Sequence, residues 1–211
     1  MMELRLHATT PERRDAIVAA ALACFAEKGV EATSIADIRR ASGASVGSLY
    51  HHFGGKEELA GRVYLAVLEQ YQASYLAALK RARTAEDAVK GTVRHYLSWV
   101  RRHPDAARLL TEGRRTPQVI AADRDIRDAT KRFFDASNTV FSRFVDGGAM
   151  KRVAVHLLPL LLVAPATAAA RQWLESGGRF DLGAAEALLT DAAWAALRPS
   201  GTNSRQKGKR S

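Results

Sequence analysis

Apolar residues recur at every third or fourth position along most of this chain, which is the pattern of amphipathic helices. In the first such stretch the apolar positions are Ile17, Ala20, Ala21, Cys24 and Phe25. Thr10 is expected to cap this helix, and Gly29 is expected to follow its last turn. Because Cys24 lies on the apolar stripe, a small core residue is favoured over a reactive thiol.

Two short helices follow the first. The second begins after Thr33 or Ser34, and Asp37 lies where it completes a capping box with Ser34. A glycine turn over residues 42–44 precedes Ser45, which is expected to cap the third helix. Two short helices joined by a tight glycine turn, behind a packing helix, form a helix-turn-helix pattern.

The remaining patterns predict further helices and no strand. The expected ranges are a fourth helix over 56–82, a fifth capped by Thr84, a short sixth from Pro104, a long seventh from Pro117 to Gly147, an eighth over 157–176 and a ninth capped by Asp181. With about nine helices, the predicted fold class is all-α. We expect a three-helix helix-turn-helix domain over 1–55, a second helical domain over 56–198 and a disordered basic tail over 199–211.

The composition agrees with a helical chain. Among 211 residues there are 39 alanines and only 6 prolines, and alanine has the highest helix propensity. The single cysteine excludes an internal disulfide and a multi-cysteine zinc site, which fits a reducing, cytoplasmic setting. The most hydrophobic stretch, 153–170, contains two prolines and favours a buried helix over a membrane span, and the first residues lack a signal-peptide core.

The formal net charge of +10 suggests a polyanionic partner such as nucleic acid, but the charge is unevenly distributed. Residues 1–60 carry 7 basic and 8 acidic side chains, whereas residues 80–115 carry 10 basic and 4 acidic ones. Another 5 basic residues, and no acidic residue, lie in 198–211. A nucleic-acid reader within the first 60 residues must therefore depend on geometry and a few placed donors.

The segment from Thr33 to Leu59 carries a dense motif. Its defining positions are Thr33, Ile38, Ala41, Gly43, Ser45, Gly47, Tyr50, His52, Phe53, Lys56, Glu57 and Leu59. At this spacing they closely resemble the DNA-binding domain of the TetR family of transcriptional regulators. The resemblance covers about residues 11–60 and implies a helix-turn-helix that binds DNA, whereas the rest of the chain resembles the family only in helix number and length.

The resemblance also implies which residues contact DNA. The expected set consists of groove residues (Ala44, Ser45, Val46, Gly47, Ser48), phosphate contacts (Tyr50, His51, His52, Lys56) and a donor from the second helix (Thr33 or Ser34). Gly47 and Ser48 are small enough to let a helix approach base edges in a major groove about 12 Å wide. Val46 stands where many family members carry lysine, and it can contact a thymine methyl group but cannot donate to guanine.

Some of these residues have other interpretations. Tyr50 would have a purely structural role if it packs at the end of the third helix. His51 and His52 suggest a pair of metal ligands, but adjacent helical residues point about 100° apart and no third ligand is nearby in the sequence. We therefore expect neither a metal nor a cofactor.

In the TetR family, helices 4 to 7 enclose a ligand cavity, and helices 8 and 9 form a four-helix bundle with a second subunit. By this resemblance, the cavity is expected to be lined by Tyr64, Leu68, Tyr71, Tyr96, Trp99, Phe133, Phe134 and Phe141. The dimer interface is expected at Leu160, Leu161, Ala168, Leu188, Leu189 and Ala192. Each aromatic residue could instead belong to the core, and the last two helices could bury their apolar faces within one subunit.

These observations favour a ligand-responsive transcriptional regulator, specifically a repressor that binds a palindromic operator as a homodimer and is released by a small-molecule effector. An anionic or a hydrophobic effector would suit the basic segment 80–115 and the aromatic residues. An architectural DNA-binding protein is an alternative, although it predicts an excess of basic residues in 1–60 that the sequence lacks. An enzyme is a further alternative, although no nucleophile elbow, P-loop, dinucleotide fingerprint or metal-ligand set is found.

Overall fold

The computed structural model describes residues 10–120, 122–154 and 157–199. Over these residues the chain is all-α, as predicted, and it has eleven α-helices. From the N-terminus they are α1 Thr10–Lys28, α2 Ile35–Ser42, α3 Val46–Phe53, α4 Lys56–Lys80, α5 Ala85–Arg102, α6 Pro104–Glu112, α7 Pro117–Ile120, α8 Asp123–Asp146, α9 Leu158–Leu162, α10 Ala164–Glu175 and α11 Leu182–Leu197. A short 3₁₀ turn, Gly113–Arg115, lies between α6 and α7. Apart from Pro199, the predicted basic tail lies outside the described residues.

The chain divides into two compact units. One unit comprises Met1–Ser74 and Trp99–Phe133, and the other comprises Tyr75–Ser98 and Phe134–Ser211. Three long helices, α4, α5 and α8, contribute residues to both units. The domain boundary expected at residues 55 and 56 stays a prediction.

The core of the first unit forms around the apolar stripe of α1. Ile17, Ala21 and Phe25 are buried, as is the predicted core residue Cys24. Burial raises the pKa of the Cys24 thiol, which favours its neutral form. The helices α2 and α6 both pack against α1.

The predicted seventh helix is two helices. Pro117 begins the single turn of α7, and a second helix, α8, begins at Asp123. The Asp123 carboxylate lies in the first turn of α8, where an acidic side chain is favoured by the helix dipole. It accepts a hydrogen bond from Arg114 at 2.5 Å and also pairs with Arg127, so it stabilises this second helix start.

The predicted eighth helix is also two helices, α9 and α10, which meet at Val163. Pro165 lies in the first turn of α10. A proline has no N–H to donate, and its ring clashes with the carbonyl four residues earlier, here that of Leu161. A new helix therefore begins at this point.

The last helix begins as predicted. The Asp181 side chain accepts hydrogen bonds from the backbone N–H groups of Gly183 at 3.0 Å and Ala184 at 2.9 Å. In the second unit α11 packs against α10, and α9 contacts both. Among the described residues, no helix is both long enough and apolar enough to cross a membrane.

Candidate nucleic-acid interface

The start of α2 is held by a complete capping box. The backbone N–H of Asp37 donates to Ser34 Oγ at 3.1 Å, and the backbone N–H of Ser34 donates to Asp37 Oδ2 at 3.0 Å. The same carboxylate accepts hydrogen bonds from the Ser34 hydroxyl at 2.6 Å and from Lys28 Nζ at 2.9 Å. These bonds hold the pKa of the Asp37 carboxyl well below its ordinary value. Because Lys28 ends α1, the ion pair also fixes α2 relative to α1.

A left-handed glycine makes the turn between α2 and α3. Gly43 has φ 66°, a conformation that strains residues with a side chain, and its N–H donates to the Arg39 carbonyl at 3.0 Å. Two residues later Ser45 caps α3, its Oγ accepting from the backbone N–H of Ser48 at 3.1 Å. The turn chemistry predicted from the sequence is therefore present.

The helix α3 has one buried face and one exposed face. Leu49 and Phe53 are buried in the core of the first unit. Val46 and Tyr50, four residues apart, are 47% and 52% exposed. Residues four apart lie on the same side of a helix, so these two side chains form a single outward surface with Gly47 beside them.

Gly47 is not required by the fold. It lies inside α3 and does not have a positive φ. A Cβ built at Gly47 would meet only Ser45 Oγ, at 4.0 Å. The residue leaves the helix backbone open at the position where the resemblance implies close approach to DNA.

The predicted phosphate contacts lie near the end of α3 and the start of α4. His51 is exposed and His52 is half-buried, and their rings are in edge contact with centroids 5.2 Å apart. Lys56 Nζ donates to the Glu31 carbonyl at 2.6 Å. An ammonium group has three donors, so this bond leaves Lys56 able to bind a phosphate while it ties α4 to the loop between α1 and α2.

Two residues predicted to contact DNA are buried in the structure. Thr33 is 1% exposed, and its hydroxyl lies within hydrogen-bond distance of the carbonyls of Gly29, at 2.7 Å, and Cys24, at 3.1 Å. Ala44 is also buried, because the turn directs it inward. Ser34 is exposed, but its hydroxyl donates to Asp37, so it acts first as a helix cap.

The ion pair between Lys28 and Asp37 was not anticipated from the sequence. The two residues are nine positions apart and lie on different helices. No local spacing rule links such positions, since helical pairs are three or four residues apart. The acidic residue at the third position of α2 was the only available signal, and it indicated the capping box alone.

The same region matches a known family. Residues 17–63 match the family model described as bacterial regulatory proteins, tetR family. A full-length similarity is found with the HTH-type transcriptional activator FasR of Mycolicibacterium smegmatis, 29% identical over 88% of this chain and 83% of that protein. Residues 17–63 therefore form a DNA-binding domain of the TetR family. The relatives that match the chain are named as transcriptional regulators, which supports a transcriptional regulator rather than an enzyme.

Two other similarities cover different shares of this chain. The HTH-type transcriptional repressor KstR2 of Mycobacterium tuberculosis H37Rv is 41% identical over 63 residues, which are 30% of this chain and 32% of that protein. The crystal structure of the regulator FadR of Bacillus subtilis, in complex with stearoyl-CoA, has a TM-score of 0.74 at 17% identity and covers 85% of this chain and 96% of that one. The second similarity shows the fold alone.

Five of the residues predicted to line a ligand cavity lie in the first unit. Tyr64 and Trp99 are buried, and Leu68, Tyr71 and Phe133 are half-buried. The rings of Tyr71 and Trp99 are in edge contact, with centroids 5.0 Å apart. The Tyr64 hydroxyl donates to the Leu110 carbonyl at 3.4 Å, and burial raises its pKa. The unit thus brings one predicted aromatic pair together.

The other three predicted lining residues lie in the second unit. Phe141 is buried, Tyr96 is half-buried, and Phe134 is 40% exposed. Burial raises the pKa of the Tyr96 hydroxyl. Phe134 lies at the surface of the chain, and its role in lining a cavity stays a prediction.

Apolar residues predicted to form a dimer interface are exposed in the second unit. Leu160 on α9 is 61% exposed and Leu188 on α11 is 70% exposed. Leu161, Ala168 and Ala192 are also exposed, and Leu189 is half-buried. Five of these six side chains are therefore exposed on the single chain, and the dimer interface stays a prediction.

The adjacent residues His51 and His52 are the candidate metal ligands named from the sequence. Among the described residues, no group of three or more His, Cys, Asp or Glu side chains could hold a metal ion. The adjacent His51 and His52 contact each other without a third potential ligand among those residues.

Proposed function

We propose that this TetR-family regulator is a ligand-responsive repressor that binds a palindromic operator as a homodimer and leaves the operator when a small molecule binds. The observation that carries the proposal is α3, which buries Leu49 and Phe53 but presents Val46, Gly47 and Tyr50 to solvent. A helix that packs by one face and exposes the other behind a tight turn can enter a major groove.

The dimer is supported by a second exposed surface. Leu160 and Leu188 are large apolar side chains on helices of the same unit, and both are mostly exposed. Exposed apolar residues of this kind favour association, and a two-fold dimer is the commonest form of association. Two-fold symmetry in the protein then implies a palindromic operator, with half-sites about one DNA turn apart, 34–36 Å.

We propose a long-chain acyl-CoA as the first effector class to test. The FadR structure that shares this fold contains stearoyl-CoA. Such a molecule combines an apolar chain with an anionic head, which matches the aromatic residues Tyr71 and Trp99 and the excess of basic side chains in 80–115.

Activation rather than repression is the second candidate. The relative that matches nearly the whole chain, FasR, is named as an activator, whereas KstR2, named as a repressor, matches 63 residues only. A transcriptional reporter that carries the operator upstream of a promoter separates the two, because deletion of the regulator raises expression under repression and lowers it under activation.

The binding test begins with selection of an operator from a random duplex pool. The expected result is an enriched palindrome that binds two chains, as measured by sedimentation with labelled DNA. A titration with a long-chain acyl-CoA then tests release, and the matching free fatty acid tests whether the CoA part is needed. A pool with no enriched sequence, or equal binding of all duplexes, would instead support the architectural alternative.

A Lys56→Ala variant sharpens this test. Loss of one phosphate contact should weaken binding to all duplexes alike and reduce the slope of log affinity against log salt by about one unit. The Lys56 contact with the Glu31 carbonyl is exposed, so a denaturation curve checks that the fold is intact. An unchanged slope would remove Lys56 from the interface.

A further inference from the structure

The first turn of α3 presents an apolar side chain where a base reader is expected. Val46 is the first residue of α3 and is 47% exposed. Among the described residues before α4, Val46 and Tyr50 are the large hydrophobic side chains that are exposed. The N-terminal residues of a recognition helix are those that contact base edges, so Val46 occupies a reading position without any polar atom in its side chain.

The neighbouring side chains do not take over this role. Ser45 accepts the capping hydrogen bond from the Ser48 N–H at 3.1 Å, and Gly47 has no side chain. Ser48 is half-buried. Serine hydroxyls also pair with several bases and carry little discrimination. Val46 is therefore the side chain of this turn that can distinguish one base pair from another.

The chemistry of the major groove determines what Val46 can recognise. Of the natural base pairs, only those with thymine present an apolar group there, the C5-methyl. We infer that Val46 is a specificity-determining residue that selects a thymine in each half-site by contact with its C5-methyl group. This inference rests on the proposed operator binding by α3.

The open backbone at Gly47 makes the contact possible. Valine is short, so its methyl groups reach a base edge only if the helix lies deep in the groove. A Cβ at Gly47 would have no protein atom nearer than 4.0 Å, so the space beside Val46 is left for DNA. The proposed contact thus needs both residues, because Val46 supplies the methyl groups and Gly47 lets the helix come close enough.

The experiment replaces thymine by deoxyuridine, which removes only the methyl group. Starting from the operator selected above, each thymine of one half-site and its symmetry mate are replaced in turn. Affinity for the wild type and for Val46→Ala is measured by fluorescence anisotropy. At one position uracil should weaken the wild type by about fourfold for each buried methyl group, the factor expected for one buried carbon. Val46→Ala should bind both duplexes equally.

Tyr50→Phe is the matched control, because it alters the other exposed side chain of the same surface. This variant loses a hydroxyl proposed to contact phosphate, so it should bind more weakly to both duplexes while keeping the wild-type ratio of affinities between them. Chemical denaturation of each variant checks the fold.

The outcomes separate this inference from the proposed function. The inference is overturned if uracil leaves the affinity unchanged at every position, or if Val46→Ala shows the full wild-type loss of affinity. In either case the proposed operator binding still stands. Failure of the selection to yield any sequence-specific duplex overturns both.

Discussion

At the residue scale, α3 combines positions that must be buried with positions that must be exposed. Leu49 and Phe53 are at most 2% exposed, so they secure the helix against the core. Between and before them, Val46 and Tyr50 are held outward, and Gly47 leaves the backbone bare. A helix interior ordinarily disfavours glycine by about 1 kcal/mol relative to alanine. No contact among the described residues requires glycine at this position. The glycine therefore indicates that a molecule outside the chain approaches the helix here.

We therefore expect Gly47→Ala to stabilise the protein and to weaken operator binding. The free energy of unfolding should rise by about 0.5–1 kcal/mol, because alanine removes the entropic disadvantage of glycine and its Cβ meets no clash. Affinity for the operator should fall, because the added methyl group holds the helix away from the bases. Denaturation and fluorescence anisotropy measure the two effects on the same sample.

Gly91→Ala is the control for this prediction. Gly91 lies inside α5, and a Cβ built there has no atom within 4 Å. It should bring a similar gain in stability with unchanged DNA affinity. Equal operator affinity for Gly47→Ala and the wild type would argue against close approach at Gly47.

At the element scale, caps decide where the helices begin. Capping boxes start α2, from Ser34 and Asp37, and α5, where Thr84 and Asp87 exchange hydrogen bonds of 3.3 and 3.0 Å. The α2 box differs because Asp37 also binds Lys28 at the end of α1. This single carboxylate therefore holds the first helix of the helix-turn-helix in place from two sides.

The lowered pKa of Asp37 predicts a pH dependence of stability. A carboxyl whose pKa is lowered by folding stabilises the folded state when the pH is above its ordinary pKa of about 3.9. This contribution is lost as the pH falls through the pKa that the carboxyl has in the folded protein. The difference in unfolding free energy between the wild type and Asp37→Asn should therefore be constant near neutral pH and should shrink below about pH 4. Urea denaturation across this range measures it, and a difference that is independent of pH would exclude the ionised form as the source.

At the scale of the whole molecule, the proposed association, DNA binding and ligand response depend on surfaces in different parts of the chain. The exposed leucines of α9 and α11 lie in the second unit, whereas α3 lies in the first. Long helices such as α4 contribute residues to both units. A regulator built in this way can associate, bind DNA and respond to a ligand through separate side chains, which makes the three properties separable by mutation.

Leu188→Arg should convert the protein to a monomer without unfolding it. Leu188 is 70% exposed, so the substitution costs the isolated chain little, but it places two like charges in a two-fold interface. Sedimentation at micromolar concentration measures the change, and operator affinity should fall with it. Ile120→Arg is the control: Ile120 is 52% exposed but lies in the other unit, so this variant should remain a dimer. A dimeric Leu188→Arg protein would remove α11 from the interface.

Leu68→Trp should weaken the response to the effector. Leu68 is half-buried on α4, one turn before the half-buried Tyr71, and a tryptophan there would fill space that a ligand needs. Release of operator should require about tenfold more effector, which corresponds to a typical coupling between sites. Ala73→Trp, at an exposed position of the same helix, controls for the added ring. Full release at the wild-type effector concentration would show that the signal does not enter beside Leu68.

Local chemistry made much of the fold predictable from the sequence. The caps Ser34, Ser45 and Asp181 and the turn glycine Gly43 are all in the predicted roles. Each role depends on groups no more than four residues apart, so the sequence contains both partners. The helix-turn-helix, and with it the resemblance to the TetR family, follows from such short-range patterns.

Interruptions of the long helices could not be predicted in the same way. Val163 and the start of α8 at Asp123 divide segments whose apolar periodicity runs on without a break. Pro165 was visible, but a proline inside an apolar stretch can either kink a helix or end it, and packing decides between the two.

The sequence by itself thus determined where most helices begin, which glycine makes the turn and which helix is proposed to enter DNA. Only the tertiary structure decided which of two adjacent candidates faces outward: Thr33 donates its hydroxyl into the core and Ser34 is exposed. It also paired Lys28 with Asp37 and left Val46 exposed on α3. The physical reason is distance along the chain. A cap or a turn is formed by neighbouring residues, whereas burial depends on which distant segments pack against a side chain.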